Sequence, residues 1–292
     1  MTSLTQFLQD PPPLYAFELS EAGMAMAKIG PAPEIHFEPF EPGVLSVSPV
    51  HDNVPRPEFL TARLNALAPG NGNRKRRAAL ILPDYSARVA VLDFDAFPSA
   101  VEEQRALVRF RMKKSVPFDV ESAMVSYCPQ KRAADGGKIE VLVAVVAMEI
   151  VLRYEAPLRA AGFVPGHVTT SALAMLNLLP PDGVTLVVKL NGPTLTAMVL
   201  DGAVVKLVRC VEIAQASQDE LEAVVMPTLA YVEDELKTAP KRVMLCGLGA
   251  LGERVSQEWA NDFGVAIETL RSRYGIPGPS NAGLLGYLES LA

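Results

Sequence analysis

Between Val184 and Arg209, apolar and β-branched residues run almost unbroken except at two polar turns, Asn191-Gly192-Pro193 and Asp201-Gly202. Asn-Gly and Asp-Gly accept the positive φ that a right-twisted tight turn requires, so the pattern predicts three antiparallel strands: Val184–Leu190, Thr194–Leu200 and Ala203–Arg209. A weaker copy stands near the start, with Tyr15–Leu19, a turn at Ser20-Glu21-Ala22-Gly23, and Met24–Ile29. Laying Phe17-Glu18-Leu19 over Val188-Lys189-Leu190 superposes the two units at a separation of 171 residues. Solenoid repeats recur at about 20–50 residues. The pattern therefore predicts a duplicated domain, each half opening on a β-meander.

The remaining elements follow in order. Glu34–Pro39 and Val44–Ser48 read as strands, and Glu58–Ala68 as a helix with Phe59, Leu60, Leu64 and Leu67 on one face. Ala78–Leu82 is wholly apolar, as a buried central strand is, and Ala87–Phe94 is a further strand. Ser99–Lys114 is an amphipathic helix with Ser99 as N-cap, Glu102 and Glu103 in its first turn, and Arg111, Lys113 and Lys114 in its last. Strands Ala123–Gln130 and Lys138–Met148, joined through a polar connection at Arg132–Gly137, and a helix Glu149–Ala161 closed by Gly162 complete a module inserted at about 95–162. Strand Val164–Val168 and helix Ser171–Leu179 end the first half, giving halves at 14–180 and 181–292. Beyond the second meander lie helix Ser217–Lys237, with a Ser217/Glu220 capping box and a kink at Pro227, strand Arg242–Cys246, helix Leu248–Phe263, strand Val265–Leu270 and helix Asn281–Ala292. The class is α/β.

Composition narrows the partners. With 49% hydrophobic and 21% charged residues the chain is an ordinary globular protein, and its net charge of −6 argues against nucleic acid, whose binding needs a positive face. The basic run Arg74-Lys75-Arg76-Arg77 reads as a solvated loop leading into a strand. Cys128, Cys210 and Cys246 lie far apart beside apolar strands, which implies reduced structural thiols and a reducing compartment. His36, His51 and His167 are isolated, so a zinc site or histidine triad has no foundation. Met1–Pro13 lacks the basic and apolar regions of a signal peptide, and the longest uninterrupted apolar run, Val141–Met148, falls far short of the ~20 residues of a membrane helix. A soluble, cytoplasmic chain is expected.

One motif carries a sharper chemistry. Gly247-Leu248-Gly249-Ala250-Leu251-Gly252 follows a strand and opens a helix, and Glu268 ends the next strand, which is the spacing of a dinucleotide fingerprint. An NAD-dependent enzyme built on Gly247, Gly249 and Gly252 is one reading, disfavoured because too little chain follows Leu270 for further parallel strands. Close packing of a helix on a sheet, or the nucleoside side of a mononucleotide site, is the other. Asp93 and Asp95 read as loop acids, Trp259 and Phe263 as packing on a sheet, and Met24 and Met26 as fillers of one sheet face.

Meander-led halves, an inserted module and a late glycine turn together resemble the actin-like ATPase superfamily (a ribonuclease H-like fold), and within it the PilM family of type IV pilus assembly proteins. Four stretches carry the resemblance: Arg109–Ser122, with its Val-Pro-Phe turn, Val141–Thr169, Val225–Lys237 and Val243–Leu270. It implies two duplicated α/β halves with an inserted α+β module in the first. ATP-binding members of the superfamily carry an Asp-x-Gly-type turn in each meander. Here the matching residues are Glu18-Leu19-Ser20 and Lys189-Leu190-Asn191-Gly192, and an ammonium at Lys189 repels Mg²⁺ rather than ligating it. Lys189 either contacts a phosphate beside Asn191, Gly192 and Thr194 or pairs with Glu18 across the cleft, the pairing that their equivalent places favour. The resemblance thus implies a vestigial nucleotide cleft of Glu18, Lys189, Asn191, Gly192, Thr194, Gly247 and Gly249, with no catalytic residue, no metal and no cofactor, although ATP binding without hydrolysis stays open. It further implies a cytoplasmic scaffold, peripheral at the inner membrane without inserting into it, that holds the N-terminal tail of a PilN-like membrane protein and joins other pilus or secretion platform components. The tail groove would lie between first half and module, lined from about Ala87–Phe97 and Ser99–Lys114. An active ATPase or kinase of the same fold is the remaining alternative.

Overall fold

The computed structural model describes residues 13–70, 75–130 and 138–292. Strands Tyr15–Ser20 (β1), Gly23–Lys28 (β2) and Glu34–Pro39 (β3) form the first meander. Helix Pro57–Leu67 (α1) follows, then strand Arg76–Leu82 (β4), which runs parallel to β1. The chain next builds Arg88–Phe94 (β5), Val101–Met112 (α2), Ala123–Pro129 (β6) and Ile139–Ala147 (β7), before Met148–Ala160 (α3) leads to Phe163–Thr170 (β8) beside β4. A short helix, Ser171–Met175 (α4), closes the first half.

The second half repeats the plan. Val184–Asn191 (β9), Thr194–Asp201 (β10) and Val204–Glu212 (β11) form the meander, turning at Gly192 and Gly202 with φ of 57° and 58°. Then come Gln218–Leu236 (α5), Arg242–Cys246 (β12), Gly249–Phe263 (α6), Ala266–Thr269 (β13) and Ala282–Glu289 (α7). The sheet orders β3-β2-β1-β4-β8 and β11-β10-β9-β12-β13 are the same, with antiparallel meanders and parallel strands in matching places. Glu18 lies opposite Ala25 and Ile81, and Lys189 opposite Thr196 and Cys246. The duplication read from the two meanders extends to all five strands of each sheet.

Packing redraws two boundaries. The three-stranded sheet β5-β7-β6 recruits β5 into the inserted module. Helix α3 instead buries Ile150, Tyr154 and Leu158 in the core of the first half. The module therefore spans β5 to β7 rather than about 95–162. Because β7 alternates, Val141, Val143 and Val145 face α2 through Val108 and Met112, while Leu142 and Ala144 pack against the second half. Helix α2 thus lies on the outer face of the module, opposite the face that packs on the second half. At the chain's end, α7 crosses back and packs Leu284, Leu285 and Leu288 against Ala16, Ala79 and Ile81 of the first sheet, although sequence order assigned it to the second half.

Smaller departures have local causes. Val44–Ser48 is no strand: Val44 and Leu45 are buried, but the segment is tied to Asn53, whose carbonyl accepts from Ser46 N at 3.1 Å and whose Oδ1 accepts from Ser48 N at 3.1 Å. Ser99 does not cap α2, whose N-cap is Ala100; Gln104 Nε2 donates to Pro98 O at 2.6 Å. Past Met175 the expected helix tightens into a 3₁₀ turn, Leu176–Leu178. Ser217 does cap α5, accepting from Glu220 N at 3.4 Å. Arg76 in the basic run is not solvated. Its guanidinium lies 3.8 Å from the Phe163 ring centroid and donates to Ala161 O, just past the end of α3, at 2.8 Å. Arg74 and the Arg132–Gly137 connection lie outside the described residues.

Candidate functional site

The parallel strands β1, β4, β9 and β12 all point their C-terminal ends at the seam between the halves, where open α/β sheets bind ligands. In the first half β4 ends at Leu82, and Pro83 passes the chain into the 3₁₀ turn Asp84–Ser86. That turn aims Asp84 across the seam. Its Oδ2 lies 2.6 Å from Lys189 Nζ and accepts from Thr196 Oγ1 at 3.2 Å, and its Oδ1 accepts from Ala172 N at 2.6 Å. The Lys189 and Asp84 side chains are 1% and 4% exposed.

Glu18 is not the partner of Lys189, as the duplication had suggested. It accepts from Ser171 Oγ at 2.5 Å and from Leu284 N, in the first turn of α7, at 2.6 Å. The reason is competition. Asp84 reaches Lys189 at hydrogen-bond distance, whereas the amide of α7 presents Glu18 with an unsatisfied helix-end donor. Burial pushes the Glu18 carboxyl above its usual range, although Lys189, Ser171 and Leu284 pull it down. For Lys189 burial acts downward, but Asp84 and Glu18 together outweigh it, and the ammonium is held above its usual value. Two buried acids around one buried cation thus join β1, the turn after β4, α4, β9, β10 and α7.

The remaining candidates fall into two separate places. Asn191, Gly192 and Thr194 line a cavity with Ser20, Glu21, Val47, Pro83 and Asp84, of about 10 Å³. About 10–15 Å³ is needed for a single water. A space of that size is too small for a triphosphate, and the buried ammonium of Lys189 stands at the seam already paired with Asp84. Gly247 and Gly249 line a different cavity of about 420 Å³ with Leu248, Gly252, Glu253, Ser256 and Ile276–Pro279. It shares no lining residue with the first. A Cβ on Gly247 would lie 2.2 Å from Leu190 O, so this glycine, with φ of 76°, is fixed by the close approach of its turn to β9.

The dinucleotide reading does not survive the topology. β12 is flanked by β9, the first strand of an antiparallel meander, and by the four-residue edge strand β13. Glu268 lines another cavity, with Leu178, Met244 and Arg271, rather than the one at the glycine turn. No cluster of three or more His, Cys, Asp or Glu that could hold a metal exists among the described residues. Cys128 is exposed, whereas burial pushes the Cys210 and Cys246 thiols up to about 12.

No protein-family model matches the chain, and no curated protein matches it in sequence. Solved structures do match. A chain of a PilM-PilN type IV pilus biogenesis complex superposes with a TM-score of 0.71 at 19% identity, covering 96% of this chain and 98% of that one. The fold is PilM-like. A Bacteroides thetaiotaomicron protein with an actin-like ATPase fold and unknown function gives a TM-score of 0.57 at 13% identity, covering 98% of each chain. Within this PilM-like frame, no helix among the described residues is long and apolar enough to cross a membrane. Asp84 is the site residue that the sequence reading missed. Pro83-Asp84-Tyr85 matches no motif, but the duplication held a signal: the turn after β4 is the counterpart of the glycine turn after β12.

Proposed function

We propose that the chain is a non-catalytic scaffold of a type IV pilus or related secretion platform, working at the cytoplasmic face of the inner membrane. One observation carries the non-catalytic part: the Asp84–Lys189 pair, 2.6 Å apart and buried, stands in the seam where the superfamily holds phosphates and metal. The PilM-like fold, shared with a chain of a PilM-PilN type IV pilus biogenesis complex, supports the rest.

The N-terminal tail of a PilN-like membrane protein would dock where first half and module meet. Met124 on β6 pairs in register with Val146, two residues before α3 begins at Met148, and Leu152 follows one turn later. These three side chains, Met124, Met148 and Leu152, are 46%, 39% and 54% exposed and form an apolar strip. Extended tails bind such strips through apolar anchors and backbone pairing.

Two measurements test the reading. Calorimetric titration of ATP with Mg²⁺ into the purified chain is expected to give no binding heat; saturable heat would overturn the closed cleft. A synthetic peptide of the N-terminal cytoplasmic segment of the PilN-like protein from the same organism is expected to bind by fluorescence anisotropy and to lose that binding with Leu152→Asp. Equal binding to native and variant chains would remove the strip as the docking site.

A further inference from the structure

Residues 105–114 hold five bases and no acid, Arg105, Arg109, Arg111, Lys113 and Lys114, in a chain of net charge −6. Two of them have structural work. Arg109 donates to the carbonyls of Val120, Glu121 and Ala123, tying α2 to the start of β6, and Arg111 lies 5.0 Å from the Phe94 ring centroid and donates to Asp93 O. Arg105, Lys113 and Lys114 are exposed and make no side-chain hydrogen bond or ion pair. Between them stands Phe110, 73% exposed, more than any other large hydrophobic among the described residues.

Lys113, the C-cap of α2, keeps helical backbone angles three residues on from Phe110 and so stands beside it on the outward face, and Lys114 follows in the turn just past the helix end. Val108 and Met112 take the inward face and are fully buried. Cations at a helix C-terminus complement its dipole, which accounts for the lysines and leaves the aromatic unexplained. An aromatic left in water beside unpaired cations is the arrangement of a surface that meets anionic headgroups, with the ring at their level and the ammoniums against the phosphates.

We propose that the C-terminal end of α2 is a contact surface for an anionic lipid bilayer. Phe110 is the seated side chain, and Lys113 and Lys114 are the electrostatic contacts. Shape selects the bilayer over an acidic peptide. Phe110 is a knob that lines none of the cavities described above, and a knob seats in a soft, deformable surface, whereas a peptide needs a groove. The position is also free, because α2 covers the outer face of the module sheet, turned away from the seam and from the Met124–Leu152 strip. One ring and two cations make a weak, reversible and salt-sensitive contact. This inference does not depend on the proposed scaffold role.

The test is sedimentation of the full chain with vesicles of phosphatidylcholine alone or with about a third phosphatidylglycerol, a composition that supplies the negative surface the lysines need. Binding is expected only to the anionic vesicles, to fall several-fold with Phe110→Ala, and to be lost with Lys113→Glu/Lys114→Glu or in high salt. Both variants sit on exposed positions, so unchanged thermal unfolding will separate loss of contact from loss of fold. No binding to anionic vesicles by the native chain would overturn the proposal. So would binding that Phe110→Ala leaves untouched while the lysine reversal abolishes it, since that describes a charge patch for any polyanion.

Discussion

A buried ion pair is held by its partners' geometry, and the Asp84–Lys189 pair has an unusually complete set. Asp84 satisfies Lys189, Thr196 and the Ala172 amide at once. Removing only the cation leaves a carboxylate buried and uncompensated, so Lys189→Met is expected to cost about 3–5 kcal/mol in denaturant unfolding. Adding Asp84→Asn should restore most of that loss, because asparagine still accepts from Ala172 N and carries no charge. A double variant as unstable as the single one would show that shape, not charge, governs the seam. The pair also sets an alkaline signature. Lys189 is held above its ordinary 10.5, so its contribution is whole below that pH and is lost as pH rises through the higher folded value. Buried Cys210 and Cys246, displaced from 9.0 to about 12, act in the same direction from pH 9 upward. The native Tm is therefore expected to fall steeply above pH 10.5, and the Asp84→Asn/Lys189→Met variant more gently; identical slopes would assign the whole fall to the thiols and to Tyr154, Tyr231 and Tyr287, whose hydroxyls burial also holds above their usual value. Glu18 and Lys189 were legible because a duplication marks equivalent places, and the wrong pairing followed because a partner from outside both meanders cannot be read from them.

Elements meet through the residues that let them approach. On α7, Gly283 and Gly286 face α4: a Cβ would lie 2.7 Å from Ser171 Cα at the first and 2.2 Å from Ala174 O at the second. Gly286→Ala gains helix propensity of about 1 kcal/mol. The overlap is with a backbone carbonyl that cannot swing aside, and parting α4 from α7 also draws Leu284 N away from Glu18. Overpacking of this kind costs about 1–3 kcal/mol. Net destabilisation in urea is the expected outcome, and a neutral or stabilised Gly286→Ala would mean that the two helices slide freely. The sequence pattern located α7 but not its neighbour, since a period of 3.6 shows that one face is apolar and not what covers it. For the same reason β5 and α3 were distinguishable as strand and helix while their assignment to module or half was not. Val44–Ser48 failed in the other direction: its buried Val44 and Leu45 resemble a strand, but the Asn53 side chain and carbonyl take the backbone groups a ladder would use.

Across the whole molecule the halves are joined by more than the seam. Gln130 of the module exchanges two hydrogen bonds with Val205, through its Nε2 to the carbonyl at 2.8 Å and its Oε1 from the amide at 2.7 Å, and Lys206 pairs with Glu140 at 2.7 Å. One apolar cluster combines Val89 of the module and Met175 of α4 with Val187, Met198, Leu200 and Met244 of the second sheet. The second sheet therefore buries one face within its own half, against α5 and α6, and the other against residues that precede it in the chain. Helix α7 makes the reciprocal loan to the first sheet. Each half has a core of its own on one face of its sheet, but the opposite face of each sheet is covered by residues of the other half, and a hinge-like opening of the seam would strip both of those faces. The chain is expected to unfold in one calorimetric transition with equal van't Hoff and calorimetric enthalpies. A fragment of residues 181–292 is expected to expose the Val187–Met198 face, bind a hydrophobic dye and aggregate. A fragment that instead folds alone, or two resolved transitions in the whole chain, would make the halves independent bodies and return to the seam the freedom to open that nucleotide exchange requires. With a single transition, the rigidity that the proposed scaffold role requires would follow from the shared core itself.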